Sequence, residues 1–196
     1  MTSETASEDL LARNARIQTY MRIFDKRKSP KSIVEIGSWK GDFSNLLNIA
    51  FPESNLFLVD PWLCSLKNSV GWYGVNTIDQ GGMDEIYNRV VERFRDKSLV
   101  TISRGNVEAF YSRNQDFSAD FVYIDGDHTY EGCLFDAMYS HKFTALGSVL
   151  AFDDYVLGGW WGDGVIKAVS SFLGTYSSHY KLMGIYSNQC VIERIA

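Results

Sequence analysis

The chain has 196 residues, of which 45% are hydrophobic and 22% charged, and its formal net charge is −5. That length suits one domain with a proper core, over residues 1–196, and an acid excess without a basic run argues against gripping a nucleic-acid backbone. No apolar stretch approaches the ~20 residues that span a bilayer, and MTSETASEDLLARN lacks the basic start and apolar middle of a signal peptide. Cys64, Cys133 and Cys190 are odd in number and contain no C-x-x-C pair, which fits reduced thiols. A cytoplasmic protein without nucleic-acid or membrane partners is the expectation.

An N-terminal helical segment takes up 1–30, its helix running over about 8–26, where Leu10, Leu11, Ile17, Tyr20, Met21 and Ile23 recur at near-helical spacing. Pro30 closes it by biasing Ser29 away from helical geometry. SIVEIG then reads as a buried strand ended by Gly37, DFSNLLNIAF as a helix, and NLFLVD as the second strand. The amphipathic stretch 83–94 predicts a helix, LVTISRG a third strand, and DFVYIDG a fourth that ends near Asp125. Residues 131–144 predict another helix, followed by the strand SVLAFDD and the helix GVIKAVSSFLG. YKLMGIYS and QCVIERI close the chain as an antiparallel pair. Strands alternating with helices predict an α/β fold: a doubly wound, mostly parallel sheet of about seven strands with helices on both faces.

Such sheets bind ligands beyond the carboxyl ends of their strands. Polar residues gather at those ends: Glu35 with Gly37, Asp60, Asn106, Asp125, then Asp153 with Asp154. A sheet built for stability alone has no need of them. The loop VEIGSWKGDFS departs from G-x-G-x-x-G, with Trp39 and Asp42 where the second and third glycines belong, and Asp42 would repel a phosphate. Gly37 and Gly41 still allow a tight turn beside an uncharged ribose or an amino-acid tail. Glu35 is an acid in an apolar strand and calls for a partner, which a cationic ligand would supply. Asp60 suits paired ribose hydroxyls, because a carboxylate accepts two hydrogen bonds. Alone, each acid fits a structural ion pair or a cap equally well. Together, at successive strand ends, they favour a ligand.

VEIGSWKG followed by FLVDPW resembles the first two motifs of class I methyltransferases, which have a Rossmann-like sheet. The resemblance implies that Gly37, Ser38 and Gly41 shape an S-adenosylmethionine loop, that Glu35 faces the methionine portion, and that Asp60 holds the ribose. By the same resemblance Asn106 lies against adenine. FVYIDGDHTYEG and VLAFDDY are similar to the subgroup that includes macrolide-sugar O-methyltransferases, over roughly 33–172. There the matching acids bind magnesium, so the resemblance implies Asp125, Asp153 and Asp154 as metal ligands, with Asp125 also at the cofactor. Mg²⁺ prefers hard oxygen ligands, and a metal on an alcohol oxygen favours the alkoxide while a base takes the proton. His128 is a candidate base, three residues beyond Asp125; members of the subgroup use one or the other of these positions.

Two segments read as candidate lid loops: 61–83, carrying Trp62, Trp72 and Tyr73, and 155–164, carrying Trp160 and Trp161. Their tryptophans suit stacking on a sugar or an aromatic acceptor, and equally a contact in a homo-oligomer. The expected function is metal-assisted O-methylation of a small hydroxylated acceptor. The alternatives are a non-catalytic S-adenosylmethionine-binding protein and a metal-dependent hydroxylase on the same fold.

Overall fold

The computed structural model describes residues 3–64, 79–159 and 161–196, and of residues 3–12 the backbone alone. Helix α1 spans Ser3–Asp25, and its described part buries Ile17, Tyr20 and Phe24, a stripe spaced by three and four residues. Strand β1 (Ser32–Ile36) leads through a glycine turn into α2 (Asp42–Ala50), and β2 (Asn55–Asp60) follows. Helix α3 (Gln80–Arg93) begins where the Asp79 carboxylate accepts the Gly82 N–H, so the end of the expected 61–83 loop is helical. Most of that loop, with Trp72 and Tyr73, lies outside the described residues, as does Trp160.

Strand β3 (Val100–Arg104) is followed by α4 (Val107–Arg113), an element that the sequence reading lacks. Seven residues bury only Val107 and Phe110, too short a stripe to show a period. Then come β4 (Ala119–Ile124), α5 (Tyr130–Lys142), β5 (Thr144–Phe152), α6 (Gly164–Thr175), β6 (Tyr180–Tyr186) and β7 (Gln189–Arg194). Thr144, expected at a helix end, instead opens β5.

The seven strands form one sheet in the order β3-β2-β1-β4-β5-β7-β6. Neighbours from β3 through β5 are parallel, and β7 is antiparallel to both β5 and β6. One core packs α4, α5 and α6 on one face of the sheet; a second, with α1, α2 and α3, packs on the other. The central strands point side chains into both, so they read as continuous apolar runs. Strand order reverses between β1 and β4, and at such a switch point the connections part to leave a crevice. No described helix is long and apolar enough to cross a membrane.

Candidate active site

At the carboxyl ends of β1, β2, β4 and β5 lies a cavity of about 640 Å³, within the ~300–1,000 Å³ usual for small-ligand clefts. Gly37, Asp60, Asn106, Asp125, His128, Asp153 and Asp154 all line it. A smaller hollow of about 90 Å³ adjoins it, lined among others by Glu35, Ser38, Gly37 and Asp125. Gly41 lines neither: it is the N-cap of α2, and a Cβ there would meet the Phe94 ring at 3.0 Å. Its contribution is to the turn itself.

The floor of the site is backbone. Gly37 sits at φ +89°, and any Cβ there would collide with the Asp125 carbonyl, so β1 and β4 can approach closely only with glycine at this position. Two loops are tied together by Asp60, whose carboxylate accepts the N–H of Trp39 at 2.9 Å and of Trp62 at 2.7 Å. Trp62 Nε1 in turn donates to the Trp39 carbonyl at 2.8 Å. Both tryptophans have φ +42°, a strained setting that these bonds enforce. Trp62 is therefore no lid residue: it is fully buried, with its ring centroid 5.1 Å from that of Tyr87. Each Asp60 oxygen keeps a second lone pair for a ligand hydroxyl, and burial raises its pKa although the two amides oppose this.

Glu35 is 1% exposed. The Ser44 hydroxyl donates to its carboxylate. Burial pushes its pKa up to about 8, Ser44 opposing and Asp125 adding to the rise. A carboxyl in that state gains most from a cationic partner.

On the β4–β5 side, Asp125, His128 and Asp154 bring one oxygen or nitrogen each within 4.8 Å of one another. His128 Nε2 lies 3.1 Å from Asp125 Oδ1, and Nδ1 3.3 Å from Asp154 Oδ2. Burial would lower the His128 pKa, but the bond to Asp125 and the nearby acids outweigh it and raise it to about 9. Asp125 and Asp154 are both raised, by burial first and by the charge of Asp153 next. Asp154 takes a left-handed φ of +52°, and its carboxylate meets His128 where that of Asp153 meets Arg16.

Asp153, which the resemblance implies as a metal ligand, has two protein partners. Arg16 Nη1 of α1 donates to its Oδ2 at 2.7 Å, and Gln189 Nε2 to its Oδ1 at 3.1 Å. Gln189 also donates to Tyr123 at 2.8 Å, and the Tyr20 hydroxyl donates to Gln189. The acids are thus met by a guanidinium from α1 and by His128, while the hard-donor cluster is Asp125, His128 and Asp154. Arg16 and Gln189 escaped the sequence reading. Arg16 stands beside the buried Ile17 and one turn before Tyr20, and Gln189 opens a strand that ends on Glu193 and Arg194, so each looks like a surface residue by pattern. Trp161 lines the cavity and sets its ring edge-on to His128, with centroids 5.3 Å apart.

Two groups fit this geometry. The glycine floor, the buried Glu35 and the hydroxyl-ready Asp60 fit a nucleoside with an ammonium-bearing tail. Two carboxylates and an imidazole fit a divalent cation that keeps open positions.

Comparison with known proteins agrees on the class. The sequence family described as a methyltransferase domain matches residues 34–155, and the chain belongs to it, among the S-adenosylmethionine-dependent methyltransferases of the class I fold. The fold is shared with the O-methyltransferase of Bacillus cereus solved with SAH, at 14% identity and TM-score 0.64, covering 100% of this chain and 92% of that one. TomG of Streptomyces achromogenes, an O-methyltransferase of tomaymycin synthesis solved with SAM, is similar at 14% identity and TM-score 0.61, covering 92% and 80%. The N-methyltransferase NodS of Bradyrhizobium japonicum is similar at 13% identity and TM-score 0.60, covering 96% and 99%. A comparison with curated proteins gives no match.

Proposed function

We propose that this chain, as a single catalytic unit over residues 1–196, moves the methyl group of S-adenosylmethionine to a hydroxyl oxygen of a small acceptor, a sugar or a phenol-like ring. A divalent metal, Mg²⁺ by preference, assists. The observation that carries this reading is the convergence of Asp60, Asp125, His128 and Asp154 on the wall of one cavity. Folding for its own sake gives no reason to gather four titratable groups around a space.

Glu35 binds the ammonium of the methionine portion, with Ser38 and Gly37 beside it, and Asp60 holds the ribose hydroxyls. Asn106 stands at the base end, where its side-chain oxygen also caps α4 by accepting the Ala109 N–H at 2.9 Å. Bound S-adenosylmethionine supplies a methyl group on a sulfonium, ready for in-line displacement. A divalent cation would be held by Asp125 and Asp154, with Asp153 behind them, and would supply Lewis acidity toward the acceptor hydroxyl. A cation on the neighbouring acids would cancel the charges that raise the His128 pKa, leaving that imidazole neutral to take the acceptor proton. Arg16 screens Asp153 and keeps the mutual repulsion of the acids in check. Trp161 covers the acceptor side and excludes water.

The three cysteines are unbridged, which supports a reducing, cytoplasmic setting. A hydroxylase would call for two histidines beside one carboxylate, and the cluster among the described residues has the reverse ratio. Incubation with methyl-labelled S-adenosylmethionine and a panel of sugars, polyols and catechols, with and without Mg²⁺, tests the proposal. Labelled ether product that disappears with chelator supports it. Tight SAH binding with no turnover on any hydroxylated acceptor favours a binding protein instead.

A further inference from the structure

Helix α5 buries Cys133, Asp136, Ala137 and Ser140 against the sheet, and Asp136 is the one acid in that stripe. It is 8% exposed, and among the described residues no donor hydrogen-bonds its carboxylate. The other buried carboxylates near the cavity are engaged: Glu35 by Ser44, Asp60 by two amides, Asp153 by Arg16 and Gln189. Neither Asp136 oxygen is a fully enclosed atom lacking a partner, so the carboxylate opens onto the cavity, where a ligand can meet it.

The carboxylate lines the same cavity as Asp60 and Asn106. Gly126 makes room for it: a Cβ at that position would stand 2.7 Å from Asp136 Oδ2 and 3.6 Å from Ile36 Cγ2. Ile36, Val59, Val107 and Phe135 add apolar surface to the same cavity. Apolar surface beside a carboxylate without a hydrogen-bond donor suits a flat heterocycle that carries an N–H. Burial, with Asp127 and Asp60 nearby, pushes the Asp136 pKa up to about 8, and either protonation state retains an oxygen able to accept.

We infer that Asp136 reads the base of the bound nucleoside, accepting a hydrogen bond from the exocyclic amino group of adenine. The inference rests on the S-adenosylmethionine reading above and adds to it a specificity-determining residue on α5. Asp136 sits eleven positions past Asp125, inside a helix, where no motif marks it.

Titration calorimetry on the whole protein tests this with two ligands: SAH, and its purine analogue carrying hydrogen in place of the exocyclic amino group. Wild type binds SAH about tenfold or more tightly than the analogue. Asp136→Ala abolishes that preference by weakening SAH alone, whereas Asp136→Asn, which keeps a carbonyl acceptor, retains it. Removing an unpartnered buried acid also leaves the Ala variant at least as heat-stable as wild type, so it remains measurable. Equal affinities in wild type, or a preference that survives in Asp136→Ala, overturn the inference while leaving the methyltransferase reading intact. Failure of wild type to bind SAH at all overturns both.

Discussion

Replacing Glu35 by Gln separates what this carboxyl costs the empty protein from what it offers the ligand. Burial raises its pKa from 4.5 to about 8, so between those values the folded chain retains a proton that the unfolded chain has lost. Stability therefore falls as pH climbs from 4.5 toward 8 and levels off above. At pH 7 the cost is ~3 kcal/mol, counting 1.36 kcal/mol per pH unit. Gln has the same shape, still accepts the Ser44 hydroxyl proton, and does not titrate, although burying its amide takes back part of the gain. The expected result is a variant more stable by about 1–3 kcal/mol at pH 7, or roughly 3–10 °C in Tm for a chain of this length. The gain shrinks toward pH 4.5. SAH binding moves the other way, weakening about 10–100-fold through loss of a charged hydrogen bond. Calorimetric melting across pH 5 to 9, with titration of SAH, reads both effects. A gain of equal size at pH 5 and pH 8 would refute the burial argument, and unchanged SAH affinity would refute the placement of the ammonium.

Asp60→Asn is expected to weaken SAH binding about tenfold or more, since one oxygen must now serve two amides and the ribose, whereas Asp154→Ala leaves SAH affinity within about twofold and removes metal-dependent transfer. Titration calorimetry on both variants, with a transfer assay, checks the division; equal losses of SAH affinity would contradict it. Arg16→Met strips a partner from a partly buried ion pair and is expected to cost about 1–3 kcal/mol, with Mg²⁺ restoring more of the Tm than it adds to wild type because Asp153 then becomes available to the cation. Identical Mg²⁺ shifts in the two proteins would show that Arg16 does not compete at this site. Trp161→Ala is expected to raise the KM for acceptor with SAH affinity unchanged, and a loss confined to SAH binding would remove it from the acceptor side.

The sheet was legible because each buried strand is a short apolar run closed by glycine or an acid, and β2 matches its predicted bounds, Asn55–Asp60. Helix α4 was not, because seven residues hold barely two turns. Strand-end acids announced the cavity: Asp60, Asp125, Asp153 and Asp154 all line it. Pattern could not tell which of them a neighbour engages. Asp153 and Asp154 are adjacent in sequence, yet one faces Arg16 from the start of the chain and the other His128, a choice made by the packing of α1 and by a left-handed residue. Trp62 reads as exposed because it lies in a long glycine-rich segment, and the structure buries it by giving its N–H groups to Asp60 and Trp39. Asp136 is invisible for a simpler reason: a lone acid in a helix reads as solvated until the helix is docked.

Diffraction from crystals grown with SAH and Mn²⁺, recorded for anomalous signal, addresses the central claim. A manganese peak within coordination distance of the Asp125 and Asp154 carboxylates is predicted, with the SAH sulfur in the same cavity, its ribose at Asp60 and its ammonium at Glu35. Manganese elsewhere, or SAH bound outside that crevice, would contradict the account.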